Sequence, residues 1–141
     1  MAEVLRKTVL FVCVENSNRS QMAEALLNHL GKGRYQAVSA GAKPAGAVHP
    51  FTIRTLEEVG LPAQDLRSKS LDEFKNVPID LVITVCENAK ESCPIWPGPI
   101  HIHWNLEDPA GAEGSDDEKM KFFRKVYTEI ERNIHSLLAV Q

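Results

Sequence analysis

The 141-residue sequence contains little cysteine, no concentrated positive charge and no long apolar run. Its net charge is −3 and its basic residues are dispersed, which argues against a nucleic acid or an anionic membrane as the partner. No apolar segment approaches the length of a membrane span, and residues 1–7 lack the apolar core of a signal peptide. We therefore expect a cytoplasmic protein without a membrane partner.

Cysteine is also too scarce for a disulfide scaffold. The three cysteines are odd in number, which suggests working thiols in a reducing compartment. Internal repeats and low-complexity segments are absent as well. Residues 1–141 are therefore expected to form a single domain with its own core, and a monomer is the default expectation.

The elements that are present alternate between strand and helix patterns. Four strands are predicted, at residues 7–14, 35–40, 79–85 and 100–104. Helices are predicted at 18–30, at 50–59 and after Ser115, which forms a capping box with Glu118, and a short helical piece is predicted at 71–74. This order predicts an α/β fold, a single three-layer domain with a four-stranded parallel sheet flanked by helices.

The most informative stretch is the polar loop between the first strand and the first helix. The backbone N–H groups of such a loop and the positive end of the following helix dipole favour a bound tetrahedral oxyanion. Cys13 would lie beneath that anion, and Arg19 could hold two of its oxygens. The positive surroundings should favour the Cys13 thiolate, the nucleophilic form. The predicted substrate-binding residues are Val14, Glu15, Asn16, Ser17, Asn18, Arg19 and Ser20.

Two further side chains should meet Cys13 at the same edge of the sheet. Cys86 ends the third predicted strand and Asp108 follows the fourth, and ligands bind beyond the carboxyl ends of parallel strands. His101 and His103 share one face of the fourth strand. Without a compact ligand pattern around them, we expect these histidines to pack at the end of the sheet and expect no metal site.

These motifs resemble the low-molecular-weight protein tyrosine phosphatase superfamily. The resemblance is carried by residues 13–24, by Ser39-Ala40-Gly41 and by Asp108-Pro109. The Cys86 and Cys93 pair, together with His103-Trp104 ahead of residues 107–111, is similar to the thioredoxin-coupled arsenate reductase branch.

The resemblance implies specific roles. Cys13 would be the nucleophile, Arg19 the oxyanion clamp and Asp108 the general acid. Asn16 would brace the loop, and Ser20 would donate a hydrogen bond to the Cys13 sulfur. The resemblance further implies no bound cofactor, arsenate or phosphate as the oxyanion, and thioredoxin as a transient external reductant.

Three positions depart from common members of the superfamily. Glu15 stands where many have glycine, and its carboxylate would oppose oxyanion binding unless it points to solvent. Asn18 stands where many have cysteine. Lys69 stands where some have the acidic ligand of a potassium site, so potassium activation is not expected.

The number of thiols distinguishes the candidate reactions. Water would hydrolyse the Cys13 adduct in a phosphatase, whereas a reductase needs a second thiol, for which Cys86 is the candidate. Cys93 would then attack Cys86. If residues 87–92 are helical, the two α-carbons lie about 10 Å apart, beyond the roughly 4.4–6.8 Å of a disulfide. We therefore predict a redox switch that loops this segment out and carries the Cys86–Cys93 disulfide to the surface.

The sequence thus favours an arsenate reductase with a Cys13/Cys86/Cys93 relay regenerated by thioredoxin. A low-molecular-weight tyrosine phosphatase using Cys13, Arg19 and Asp108 is the nearest alternative. A third is a module that binds oxyanions or senses oxidation without turnover. Glutaredoxin with glutathione stays open as the alternative reductant.

Overall fold

The computed structural model of the chain describes residues 6–87 and 101–140. The predicted short helix at 87–92 and the predicted redox movement of that segment fall beyond residue 87, outside the described residues. The described ranges form four strands, three α-helices and two short 3-10 helices. They are β1 (Lys7–Cys13), α1 (Arg19–Leu30), β2 (Tyr35–Gly41), α2 (Pro50–Glu58), β3 (Leu81–Thr84), β4 (His101–His103) and α3 (Asp116–Ala139), with 3-10 helices at Leu71–Phe74 and Pro109–Gly111.

The strands form one parallel sheet in the order β2-β1-β3-β4, which confirms the predicted α/β class. Cys13 pairs with Gly41 of β2 at the carboxyl end of β1. β3 is shorter than predicted at its start. The Asp80 carboxylate accepts a hydrogen bond from the Thr8 N–H at 2.8 Å. The Thr8 N–H of β1 is thus paired with a side chain and not with a backbone carbonyl of residues 79–80.

Alternation along β1 divides the core between the two faces of the sheet. Val9, Phe11 and Cys13 belong to a large apolar cluster with residues from all three described α-helices. Leu10 and Val12 face the other side, where residues of the Leu71–Phe74 helix pack against them. The second face is therefore covered, within the described ranges, by a short 3-10 helix.

Capping side chains lie at the starts of all three α-helices, of which α1 and α3 bear on the predictions. The sequence predicted Asn18 as the first residue of α1. In the structure Asn18 is the N-cap, and α1 begins at Arg19. Ser115 and Glu118 form the predicted capping box at the start of α3, with both reciprocal hydrogen bonds at 3.2 Å. None of the helices in the described ranges combines the length and apolarity needed to cross a lipid bilayer.

The prediction that His101 and His103 pack at the end of the sheet is wrong. Both are exposed, while Ile102 between them faces the core. β4 is the last strand of the described sheet, and the face that carries both histidines is exposed. His103 Nδ1 lies 2.6 Å from Thr84 Oγ1 of the neighbouring strand.

Candidate active site

A cavity of about 390 Å³ opens at the carboxyl end of β1. Cys13 lies in its wall together with the whole loop that precedes α1. Asp108, from the connection between β4 and α3, lines the same cavity and therefore meets Cys13 as predicted for this edge. The full lining comprises Cys13, Val14, Glu15, Asn16, Ser17, Asn18, Arg19, Ala42, Lys43 and Asp108. Ser20 lies behind this wall, where it contacts Cys13.

The loop turns its carbonyl groups away from the cavity. The carbonyls of Val14, Glu15 and Ser17 accept hydrogen bonds from the N–H groups of Lys43, Ala45 and His49, at 2.9, 3.0 and 2.9 Å. In a trans peptide the following N–H points the opposite way, which turns loop N–H groups toward Cys13. The Asn16 N–H indeed donates to Cys13 Sγ at 3.1 Å. This arrangement suits an anion above the sulfur.

Asn16 is the central residue beneath the loop. Its φ of 53° is left-handed, a conformation that asparagine tolerates better than most residues. Its Nδ2 donates to Ser20 Oγ at 2.7 Å and to Ser39 Oγ at 3.0 Å. Its Oδ1 accepts from the Lys69 N–H at 2.8 Å and from Gln21 Nε2 at 3.0 Å. One side chain thus joins the loop to α1, to β2 and to residue 69.

Gly41 allows β2 to approach the loop closely. A Cβ atom at this position would lie 2.5 Å from the Val14 carbonyl oxygen and 3.0 Å from the Asn16 nitrogen. Any side chain would therefore push the loop away from the sheet, which explains why glycine is needed here.

A partly buried ion pair adds further support beneath Asn16. Lys69 Nζ lies 3.5 Å from Glu24 Oε1 and donates to the Arg67 carbonyl oxygen at 2.8 Å. The same Glu24 oxygen accepts a 2.7 Å hydrogen bond from Ser39 Oγ, which also contacts Asn16. Sequence reasoning did not assign these supporting roles. The sign of these roles in the sequence was the presence of two polar residues, Gln21 and Glu24, beside the apolar face of α1.

Cys13 is a free cysteine with 2% exposure. Its Sγ lies 2.9 Å from Ser20 Oγ, and either atom can be the donor. Burial raises the pKa of the Cys13 thiol above its ordinary value, although hydrogen bonding by Ser20, the Arg19 charge and the Asn16 N–H act in the opposite direction. The expectation that the surroundings of Cys13 favour a thiolate is therefore corrected. The sequence reveals the nearby charge but not the complete burial.

Arg19 is buried and oriented from several sides. Its Nη1 donates to the Leu106 carbonyl oxygen at 2.9 Å, and its Nε donates to Asn18 Oδ1 at 3.3 Å. Its Nη2 lies 3.8 Å from Asp108 Oδ2. These contacts fix the guanidinium plane at the cavity, where it could bind two oxygens of an anion.

The cavity rim carries charges of both signs on exposed residues. Glu15 is exposed, so its side chain meets the condition stated for tolerating a carboxylate in this loop. Lys43 is also exposed and lines the opening. Asp108 is 40% exposed, and its Oδ1 accepts a 3.0 Å hydrogen bond from Asn18 Nδ2.

Cys86 lies just past the end of β3, the strand next to β1. It is fully buried, belongs to the same apolar cluster as Cys13 and has its Sγ 4.0 Å from the Val12 carbonyl oxygen. Cys86 is disulfide-bonded. The predicted role of Cys93 lies outside the described residues.

Across residues 6–87 and 101–140, no three His, Cys, Asp or Glu side chains are grouped as metal ligands would be.

Comparisons with known proteins extend over nearly the whole chain. A sequence model of low molecular weight phosphotyrosine protein phosphatases matches residues 8–140. An arsenate reductase of Bacillus licheniformis is 38% identical over 131 residues, which cover 92% of this chain and 93% of that protein. The crystal structure of an arsenate reductase from Archaeoglobus fulgidus has a TM-score of 0.78 and 37% identity, and the match covers 93% of this chain and 98% of that one. A thioredoxin-dependent arsenate reductase from Corynebacterium glutamicum has a TM-score of 0.65 and 31% identity, covering 95% of this chain and 64% of that one.

Proposed function

Because the chain belongs to the low molecular weight phosphotyrosine protein phosphatase family, we propose that it is an arsenate reductase that converts arsenate to arsenite at Cys13. The observation that carries the proposal is the buried second cysteine, Cys86, at the end of the strand next to the oxyanion loop. Phosphoester hydrolysis has no use for that residue. The arsenate reductases similar over most of the chain support the same choice.

The first step forms a bond between sulfur and arsenic. Arsenate binds the loop N–H groups and Arg19, and an oxygen of the arsenate dianion accepts the proton of the Cys13 thiol. The sulfur attacks arsenic, and a hydroxide leaves with a proton from Asp108 as water. The adduct is a thioester of arsenic(V), and Asp108 is left as a carboxylate.

The second step reduces arsenic. With Cys86 in its thiol form, its sulfur attacks the Cys13 sulfur, and its proton passes to an oxygen of the departing arsenite. The sulfur–sulfur bond forms as the sulfur–arsenic bond breaks, and the electron pair of that bond reduces arsenic(V) to arsenic(III), which leaves as arsenite.

The third step regenerates Cys13. Cys93 attacks Cys86, which frees Cys13 and leaves a Cys86–Cys93 disulfide for a thioredoxin to reduce. The similarity to a thioredoxin-dependent enzyme supports thioredoxin as the transient partner.

We further propose that the protein works as a cytoplasmic monomer without a bound cofactor, since a reducing compartment keeps the three thiols available.

Phosphotyrosine phosphatase activity is the second candidate, favoured by the family model that matches residues 8–140. It would use Cys13, Arg19 and Asp108 in the same first step, with water hydrolysing a phosphocysteine. Backbone N–H groups and a guanidinium bind phosphate and arsenate alike, so the loop by itself does not separate the two reactions.

The test measures NADPH consumption with arsenate, thioredoxin and thioredoxin reductase. Wild type should turn over repeatedly, and Cys13→Ser, Cys86→Ser and Cys93→Ser should each abolish sustained turnover. Cleavage of p-nitrophenyl phosphate is measured on the same proteins. Absent arsenate turnover, with phosphatase activity that survives Cys93→Ser, would overturn the reductase and favour the phosphatase. Oxyanion binding without either activity would indicate a non-turnover module.

A further inference from the structure

The Asn18 side chain connects the oxyanion loop to the general acid. It is 4% exposed and uses both ends of its amide. Its Oδ1 accepts hydrogen bonds from the backbone N–H and the Nε of Arg19, and its Nδ2 donates to Asp108 Oδ1 at 3.0 Å. The Asn18 to Asp108 contact spans 90 positions of the chain, so it joins two segments that local structure does not bring together.

The two oxygens of Asp108 have different surroundings. Oδ1 accepts one N–H from Asn18 and a second from Ala110, at 2.9 Å. Oδ2 lies 3.8 Å from Arg19 Nη2. A carboxyl oxygen that carries the proton is a poor acceptor for two N–H donors. When Asp108 is protonated, its proton therefore belongs on Oδ2, the oxygen nearer the anion-binding guanidinium.

We propose that Asn18 is a positioning residue that directs the transferable proton of Asp108 toward the leaving oxygen of the substrate. The inference rests on the proposed function, because it requires Asp108 to act as the general acid. It also assigns a use to the departure noted in the sequence. The cysteine common at this position in the superfamily has a shorter side chain and no N–H group, so it could not make this contact.

A purely structural role for Asn18 is the competing explanation, because the residue also caps α1. Serine separates the two roles. Its hydroxyl is a good N-cap acceptor, but it is too short to reach Asp108. Asn18→Ser should therefore keep the cap and lose the hydrogen bond to the acid.

The experiment is a double-mutant cycle of Asn18→Ser and Asp108→Asn. It measures kcat and KM for arsenate and for aryl phosphates whose leaving groups differ in basicity. General acids contribute roughly 100- to 10,000-fold, and a misplaced group loses part of that. We expect Asn18→Ser to lower kcat about 10- to 100-fold for the most basic leaving groups and much less for p-nitrophenolate, which needs little protonation.

The second expectation concerns the Asp108→Asn background. There, Asn18→Ser should no longer change how kcat depends on the leaving group, because the acid through which Asn18 acts has been removed. A loss that is equal for all leaving groups would instead come from the contact between Asn18 Oδ1 and Arg19 Nε. Asn28→Ser is the matched control. Asn28 lies on α1 and, like Asn18, uses both ends of its amide, which bond the backbone of Ala37 at 2.8 and 3.0 Å. It should leave the dependence on the leaving group unchanged.

An equal loss for every leaving group, with the same loss in the Asp108→Asn background, would overturn the inference and make Asn18 a structural residue. Failure of the proposed function is separately visible. If wild type cleaves aryl phosphates but does not reduce arsenate, the reductase fails while the cycle still decides the role of Asn18. Absence of both activities in the wild type would overturn both proposals.

Discussion

The floor and the rim of the oxyanion loop are built differently. The floor comprises Asn16, Ser20, Gln21, Glu24, Ser39 and Lys69, whose side chains bond one another or adjacent backbone groups beneath the loop. The rim comprises Glu15, Lys43 and Asp108, which are exposed or half-exposed. The floor thus fixes where the backbone N–H groups point, whereas charges on the rim can change with little effect on the fold.

The difference explains how one loop can serve two reactions. A rigid floor presents the same N–H groups and guanidinium to phosphate and to arsenate. The choice between hydrolysis and reduction must therefore come from groups outside the floor, above all from the second cysteine at the end of β3. Mutations in the floor should accordingly impair every activity, whereas charge changes at Glu15 and Lys43 on the rim should alter activity only slightly.

The largest effect is expected from breaking the floor at its centre. Asn16→Ala removes four side-chain hydrogen bonds and places alanine at a φ of 53°. We expect the free energy of unfolding to fall by about 3 kcal/mol or more, with loss of phosphate binding. Urea unfolding and calorimetric titration with phosphate measure the two effects.

Asn28→Ala is the matched control for this change, since it removes two hydrogen bonds from an asparagine on α1 outside the site. It should cost less stability and leave phosphate binding intact. Equal losses of stability in the two variants, with binding intact in both, would contradict the central role of Asn16.

The strand, loop and helix were predictable because their signals are local. The apolar run before Cys13 and the helical spacing of apolar residues after Arg19 each lie within a short window. The contacts of Asn16 with Ser39 and Lys69 were not predictable in this way. They depend on how β2 and residue 69 fold back under the loop.

Burial is the other property that a local sequence pattern does not predict. Val59 has the spacing of a core residue of the second helix, but it follows the end of α2 and is 47% exposed. Thr52 and Thr55 are buried on that helix instead. The raised pKa of the Cys13 thiol has the same origin, because desolvation depends on the surrounding layers and not on neighbours in sequence.

A smaller effect is expected at His49, which lies between the loop and α2. Its Nδ1 accepts the Phe51 N–H at 3.0 Å and thereby caps α2. Burial lowers the pKa of His49 from its ordinary 6.5, against the opposing charges of Asp108 and Glu15. The stability that depends on neutral His49 is therefore complete above that value and declines as pH falls below it.

His49→Asn tests this dependence, because asparagine caps a helix without titrating near neutrality. Between about pH 7.5 and pH 5, wild type should lose more unfolding free energy than the variant, as measured by urea unfolding. Parallel curves for the two proteins would show that His49 protonation does not affect stability.

The smallest effects are expected from charge changes at Glu15 and Lys43, the two rim residues that take no part in proton transfer. Glu15→Gln should strengthen phosphate binding by roughly 2-fold at low salt, and Lys43→Gln should weaken it by a similar factor, because exposed charges act through screened water. Titrations at low and high ionic strength measure both variants. Shifts of the same sign, or shifts that persist in high salt, would contradict an electrostatic role for the rim.

The most direct measurement of the central claim is a single turnover of the Cys93→Ser variant. The fully reduced protein is mixed with arsenate without thioredoxin, released arsenite is quantified, and disulfides are located by peptide mass mapping. The proposed chemistry predicts one arsenite for each protein molecule and a trapped Cys13–Cys86 disulfide. Absence of arsenite, or arsenite formed without a disulfide that includes Cys13, would contradict it.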